Sequence, residues 1–243
     1  MAKNREKDAL IVRSSRLAAL GGLISNIAHQ WRQPLNAIAI MVQDVKATYD
    51  DNCLTSEYID KIVTRSMGEI NYMSHTIDSL AHFFRPEHEK KFFSIKNIIN
   101  KTAEIIVASL SSLNIKLELN ISDNASVFGY ENEFGQVMLS IIENAKDAIQ
   151  KSNIENGQIT ITTKNIEDEC VIYIKNDGAP IEESIIEKIF DPYFTTKHSS
   201  QGTGLGLYMA KMIIEQNMGG SIDVNNIEGG VEFIIRLSTR AEN

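Results

Sequence analysis

The chain has 243 residues, with 24 Lys plus Arg against 32 Asp plus Glu and a formal charge of −8. At roughly 150 residues per domain this length predicts one or two domains, and 43% apolar residues can bury a core. The acid excess excludes a basic nucleic-acid surface and a polybasic membrane surface, and two distant cysteines (Cys53, Cys170) exclude a disulfide framework or zinc cluster. No apolar run is long enough to span a bilayer, and the charged start MAKNREKDAL lacks the apolar core of a signal peptide, so a cytoplasmic chain is expected.

The first third reads as helix. Leu10, Leu17, Ile24, Trp31, Ile38 and Val45 recur every seven residues, with Leu20, Ile27, Pro34 and Met41 as the companion series. This is an a/d seam of about five heptads. With the first series at a, His29 falls at f, the position farthest from the seam, as do Gly22, Asn36 and Gln43. After a polar stretch at 49–56, Thr55 or Ser56 would cap a second helix carrying Val63, Ile70, Ile77 and Phe84, accompanied by Ile59, Ser66, Met73 and Leu80. Pro86 would end it. One hairpin leaves apolar surface over, so pairing into a dimeric four-helix bundle through residues 10–85 is expected.

Residues 87–91 read as a charged linker. Beyond them, helices are expected over 94–111, over 134–149 capped by Asn132, and over 205–217 ending at Gly219-Gly220. Strands are expected over 116–121, 158–163, 170–175, 221–224 and 231–237, the last two joined at 228–230. Helices with mainly hairpin-linked strands predict an α+β layer rather than a βαβ repeat.

Several segments carry chemistry. Gly202-Thr203-Gly204-Leu205-Gly206-Leu207 opens a helix, where glycines let backbone N–H groups approach phosphate. It lacks the Gly-Lys-Ser/Thr ending of a P-loop and the βαβ setting of a dinucleotide fold. Ser140, Asn144 and Asp147 share one stripe of the 134–149 helix, and an amide oxygen there suits Mg²⁺ bridging phosphates. Asn176-Asp177-Gly178 follows an apolar strand, where a polar side chain would read an adenine edge. In the segment 190–201, Phe190 and Phe194 would anchor a loop that closes over ligand, with Lys197 near phosphate.

In this order the segments resemble the catalytic core of two-component sensor histidine kinases. AHQWRQPLNAI resembles the phosphoacceptor box, ENAKDAI the asparagine box, NDGAPI the first glycine box, FDPYFTTK the phenylalanine box and GTGLGL the second glycine box. The resemblance implies a dimeric helical domain over 1–88 with His29 as phosphoacceptor. It also implies a Bergerat-type α/β sandwich over 92–243 binding ATP and Mg²⁺, with Asn144 toward the metal, and a response regulator receiving the phosphoryl group. A linker over 86–92 would let the domains move, and an upstream sensor segment is expected.

Five positions depart from the family pattern. Gln30 follows the histidine where an acidic residue is usual, and it would orient His29 rather than take a proton. Gln33 stands where Thr or Asn often positions a water for dephosphorylation. A D-N-G-x-G alignment puts Asn176 at the adenine-contacting Asp and Pro180 where a Gly lies, with Asp177 as the contact if the register shifts by one. Ser140 replaces an amide or acidic residue. ATPases of the same superfamily, such as MutL and chaperones, hydrolyse ATP with a Glu at that position. An ATPase of that kind and a nucleotide-binding dimeric scaffold are the competing readings.

Overall fold

The computed structural model describes residues 31–51, 53–83, 85, 87, 89–122, 125–196 and 204–240. They form two units that divide between His82 and Phe83.

In the first unit, helix α1 covers 31–50 and helix α2 covers Ser56–Phe83. Thr55 caps α2, its Oγ1 accepting the Tyr58 N–H at 3.2 Å. The Tyr58 hydroxyl bonds the Asp44 carboxylate, and the Ser66 hydroxyl points at Met41 Sδ at 3.7 Å, so the helices run antiparallel. On α1 the a/d seam is visible as burial: Pro34 is buried and Trp31, Ile38, Met41 and Val45 are half-buried, whereas Asn36 and Gln43 at f are exposed. On α2 the half-buried residues among those described are Tyr58, Ile62, Ser66, Glu69 and Met73. A second apolar stripe of Ile59, Val63, Met67 and Ile70, each more than 40% exposed, follows the spacing 4, 4, 3 on the same helix. The two heptad series expected for α2 therefore split between two faces, because a helix that packs on more than one partner carries a wider apolar band than one seam needs.

The second unit is built on a five-stranded sheet in the order β2-β4-β5-β7-β6. Its strands are β2 (Lys116–Asn120), β4 (Gln158–Ile166), β5 (Glu169–Asn176), β6 (Ser221–Ile227) and β7 (Gly230–Ser238). Only β2 and β4 pair in parallel; the other neighbours are antiparallel. One row across the sheet, with Ile161, Ile174 and Phe233 in register, and the next, with Ile159, Asn176 and Val231, are buried. Strand alternation puts these rows on one face. Helices α3 (Ile95–Ser111) and α4 (Glu131–Lys151) pack on the sheet, as does α5 (Gly206–Lys211), which continues into a π-helical turn over Met212–Asn217. Amphipathic spacing buries Ile95, Ile98, Ile99, Ile106 and Leu110 on α3, and Phe134, Val137, Met138, Ile141, Ala145 and Ile149 on α4.

Several boundaries differ from the sequence-based expectation. Helix α4 starts at Glu131 with Tyr130 at the cap position and no side-chain cap bond, so Asn132 is not the cap. Asn132 is buried in the first turn; its N–H donates to Glu87 Oε2 at 2.6 Å and its side-chain amide to the Arg85 carbonyl at 3.2 Å. The capping acceptor comes from 45 residues upstream, which no local pattern reveals. A two-stranded sheet of β1 (Lys91–Ser94) and β3 (Ser126–Gly129) was not expected, since four-residue strands are too short to display alternation. The helix near 205–217 keeps α geometry only to Lys211; the Met218 N–H bonds the Ile213 carbonyl and the Gly220 N–H reaches Ile214. Gly219 ends it at φ 67°, the left-handed cap its sequence suggests.

At Gly220 an added Cβ would lie 2.2 Å from the Arg236 carbonyl oxygen, a backbone atom of β7 that the sheet holds in place. Gly220→Ala is expected to lower stability by about 1–3 kcal/mol through overpacking, read as a lower midpoint in urea unfolding.

Candidate nucleotide site

Helix α4 supplies one wall of the site. Ser140, Asn144 and Ala148 stand one above another at i, i+4 and i+8. Asn144 Nδ2 donates to the Ser140 carbonyl at 2.8 Å. That bond fixes the amide plane and leaves Oδ1 as the side chain's remaining polar atom, a hard oxygen of the kind Mg²⁺ takes. Asp147 is half-buried on the same side of the helix. Among the described residues no group of three or more His, Cys, Asp or Glu could enclose a metal ion. A magnesium ion here would therefore depend on Asn144 together with substrate oxygens and water, its usual coordination in phosphate sites.

The end of β5 closes on this wall near Ala148. A Cβ on Gly178 would lie 2.8 Å from Ala148 Cβ and 2.9 Å from its carbonyl carbon, so only glycine allows the approach. Asn176 and Asp177 have separate environments. Asp177 Oδ2 accepts the Gln158 N–H at 2.8 Å, and the Asp177 N–H donates to the Gln158 carbonyl at 3.3 Å, which ties the ends of β4 and β5 together. Asn176 is 5% exposed, and its Nδ2 has no hydrogen-bond partner among the described residues. The same Nδ2 lies 2.8 Å from the position a Gly178 Cβ would take, which places it on the α4 side of the strand end.

The remaining predicted segments converge from the other direction. Phe190 meets Phe233 edge-on with centroids 6.5 Å apart, and Lys211 Nζ sits 5.3 Å from the Phe190 centroid. Tyr193 holds a left-handed φ of 66°, and Phe194 beside it is half-buried. Gly204, at φ 65°, would place a Cβ 2.4 Å from the Tyr193 carbonyl carbon. Gly206 would place one 2.7 Å from Ser140 Oγ. The phenylalanine-rich segment and the second glycine-rich segment thus meet at Gly204, and the glycine turn backs onto the Ser140 end of α4. Leu205 is buried, and Leu207 is half-buried on α5.

Asn144, Asp147, Asn176, Gly178, Gly204, Leu205, Gly206 and Leu207 therefore line or support one region, with Phe190 and Phe194 at its edge. Gln33 is exposed on α1. His29, Gln30, Lys197, Gly202 and Thr203 lie outside the described residues. Two supporting residues carry no sequence signal. Ser152 Oγ accepts the Ala179 N–H and donates to the Ala148 carbonyl, both at 2.8 Å, and Asn226 exchanges two hydrogen bonds with the Ile181 backbone.

Two comparisons bear on the family. Residues 129–241 match the family model of histidine kinase-, DNA gyrase B- and HSP90-like ATPases. The chain also superposes on the nucleotide-free catalytic domain of histidine kinase ThkA, with a TM-score of 0.57 and 33% identity, covering 63% of this chain and 97% of that one.

The chain belongs to the histidine kinase family. Its second unit is the ATP-binding α/β sandwich of these kinases. Among curated histidine kinases, AtoS of Escherichia coli is 31% identical over 98% of this chain, and sporulation kinase A of Bacillus subtilis is 26% identical over 97%. The chain spans 38% and 37% of those two proteins. A crystal structure of ThkA in complex with the response regulator TrrA matches 94% of this chain at 25% identity and a TM-score of 0.54. No helix among the described residues is long and apolar enough to cross a membrane.

Helix α4 is also held at its start. Glu131 pairs with Lys91 and Lys101, both at 2.8 Å, and Lys91 reaches Glu87 at 3.5 Å. Burial pushes the Glu131 pKa up, but hydrogen bonds and attraction from Lys101 and Lys91 outweigh it and hold the carboxyl below its ordinary value. A depressed carboxylate adds stability above the ordinary carboxylate range and loses it as pH falls through the folded-state pKa. Glu131→Gln is expected to lower stability at pH 7 by roughly 1 kcal/mol, with the gap to wild type closing as pH falls below the ordinary carboxylate range, in paired urea titrations.

Proposed function

We propose that the chain is an ATP-dependent protein-histidine autokinase that phosphorylates His29 and passes the phosphoryl group to an aspartate of a response regulator. The observation that carries the reading is the alignment along α4. The glycine turn adjoins Ser140, a fixed amide oxygen follows at Asn144, and a buried polar group faces the helix near Ala148. This is a wall suited to a nucleoside triphosphate lying lengthwise.

In this reading the residues divide the work. Asn144 would hold Mg²⁺, which would offset phosphate charge, and the backbone of Gly202 to Leu207 together with Lys197 would neutralise the remainder. Asn176, beside the close contact of Gly178 with Ala148, reads the edge of the base. Phe190 and Phe194 root the loop that shields the phosphates from water. A neutral His29 with its proton on one ring nitrogen attacks the γ-phosphorus with the other. The N–P bond forms as the bond from γ-phosphorus to the bridging oxygen breaks, and ADP leaves. Gln30 orients the ring, and Gln33 stands where a water for dephosphorylation would be held.

The helical unit, residues 1–88 in this assignment, is the dimerisation domain. Its exposed stripe of Ile59, Val63, Met67 and Ile70 has the spacing of a second bundle seam, which supports a homodimeric four-helix bundle. Residues 92–243 form the catalytic domain. The response regulator follows from likeness to ThkA, crystallised with its regulator.

Incubation with γ-labelled ATP and Mg²⁺ should give an acid-labile, base-stable label on the wild type and none on His29→Gln. Label persisting on that variant would defeat the assignment, and nucleotide binding without label would favour a scaffold. If Gln30 only orients the ring, Gln30→Glu should change the labelling rate by less than about tenfold, well short of a gained general base.

A further inference from the structure

We propose that Asn176 makes the nucleotide site tolerant of the purine's 6-substituent, so that it accepts 6-oxo purine triphosphates alongside ATP. The proposal rests on the reading of this region as a triphosphate site and extends it to the base.

Helix α4 sets the scale. The glycine turn abuts Ser140 and the strand end abuts Ala148. Eight residues of α-helix separate them, about 12 Å at 1.5 Å per residue. That length suits a triphosphate at one end and a base at the other, so the Asn176 end is the base end. The approach of Gly178 to Ala148 leaves no room for a side chain between strand and helix at that point. Beside this contact, Asn176 Nδ2 is buried and lacks a partner among the described residues. A buried amide donor left unpaired is costly, so a ligand acceptor at this point is favoured.

The chemistry of the amide decides what it selects. A carboxylate can only accept hydrogen bonds, so it would favour a 6-amino group and repel a 6-carbonyl. An amide offers one acceptor and two donors side by side. Oδ1 can accept from the adenine 6-amino group while Nδ2 donates to N1. With the amide turned over, Nδ2 donates to a 6-carbonyl while Oδ1 accepts from N1–H. Both edges are matched, and the exchange requires only rotation about the last side-chain bond. Asp177 differs from Asn176 in that its Oδ2 is engaged by the Gln158 N–H, while its Oδ1 is buried without a partner among the described residues and lies toward Gly157, 3.5 Å from where a Cβ there would be.

Inosine triphosphate is the direct probe, since it differs from ATP only at position 6 and the adjoining N1 proton. Competition binding on the full chain with Mg²⁺ should give dissociation constants for ATP and inosine triphosphate within about tenfold of each other. Asn176→Asp should widen that ratio by at least roughly tenfold, mainly by weakening inosine triphosphate. ATP binding with inosine triphosphate weaker by more than ~100-fold on the wild type would overturn the proposal and leave the ATP site standing. Failure of both nucleotides to bind would overturn the site itself. An unchanged ratio in folded Asn176→Asp, checked by circular dichroism, would also overturn it. Should that variant not fold, the wild-type ratio decides alone.

Discussion

The position of helix α4 is the constraint on which the nucleotide domain depends. Its start is gripped by Glu87 and Arg85 through Asn132, and by Lys91 and Lys101 through Glu131. Its end is pinned where Gly178 presses on Ala148 and Ser152 bridges to Ala179. Between these anchors the helix lies on the sheet by its apolar face, so the opposite stripe is presented at a fixed depth. Under the proposed function Asn144 needs that depth, because a side-chain amide can place its oxygen usefully only if the backbone beneath it does not slide.

The anchors differ in kind. The apolar face supplies most of the stabilisation, as a largely buried row of Ile, Val, Met and Phe does in any layered domain. The ion pairs at Glu131 involve lysines that are about half exposed, so they add little energy and mainly orient. The glycine approach works by exclusion: any side chain at 178 would push strand and helix apart. The site region is therefore positioned chiefly by packing and sterics.

Much of this was legible in the sequence. The heptads of α1 appear as burial at Trp31, Ile38, Met41 and Val45, and the alternation near 158–163 and 170–175 appears as the central hairpin β4-β5. Such features are visible because their cause is local periodicity. The misses have non-local causes. Asn132 looked like a cap because residue type alone cannot tell that Glu87 does the capping. Strands β1 and β3 were hidden by their length, and Lys91 by sitting in a charged run. Residue type alone leaves Asn176 and Asp177 as alternatives, because the side of a strand end each side chain leaves depends on pairing, and Asp177 Oδ2 turns to the Gln158 N–H. His29, Gln30, Lys197, Gly202 and Thr203 are assigned from their motifs.

The pinch between Tyr193 and Gly204 has a consequence for chain statistics. A Cβ at 204 would overlap the Tyr193 carbonyl, so the two backbones touch with no side chain between them. Two residues on, Gly206 backs onto Ser140 in the same way. Because the packed domain itself holds positions 193 and 204 together, the loop-closure entropy of that stretch is lost on folding and would not be lost a second time when a ligand binds beside Ser140.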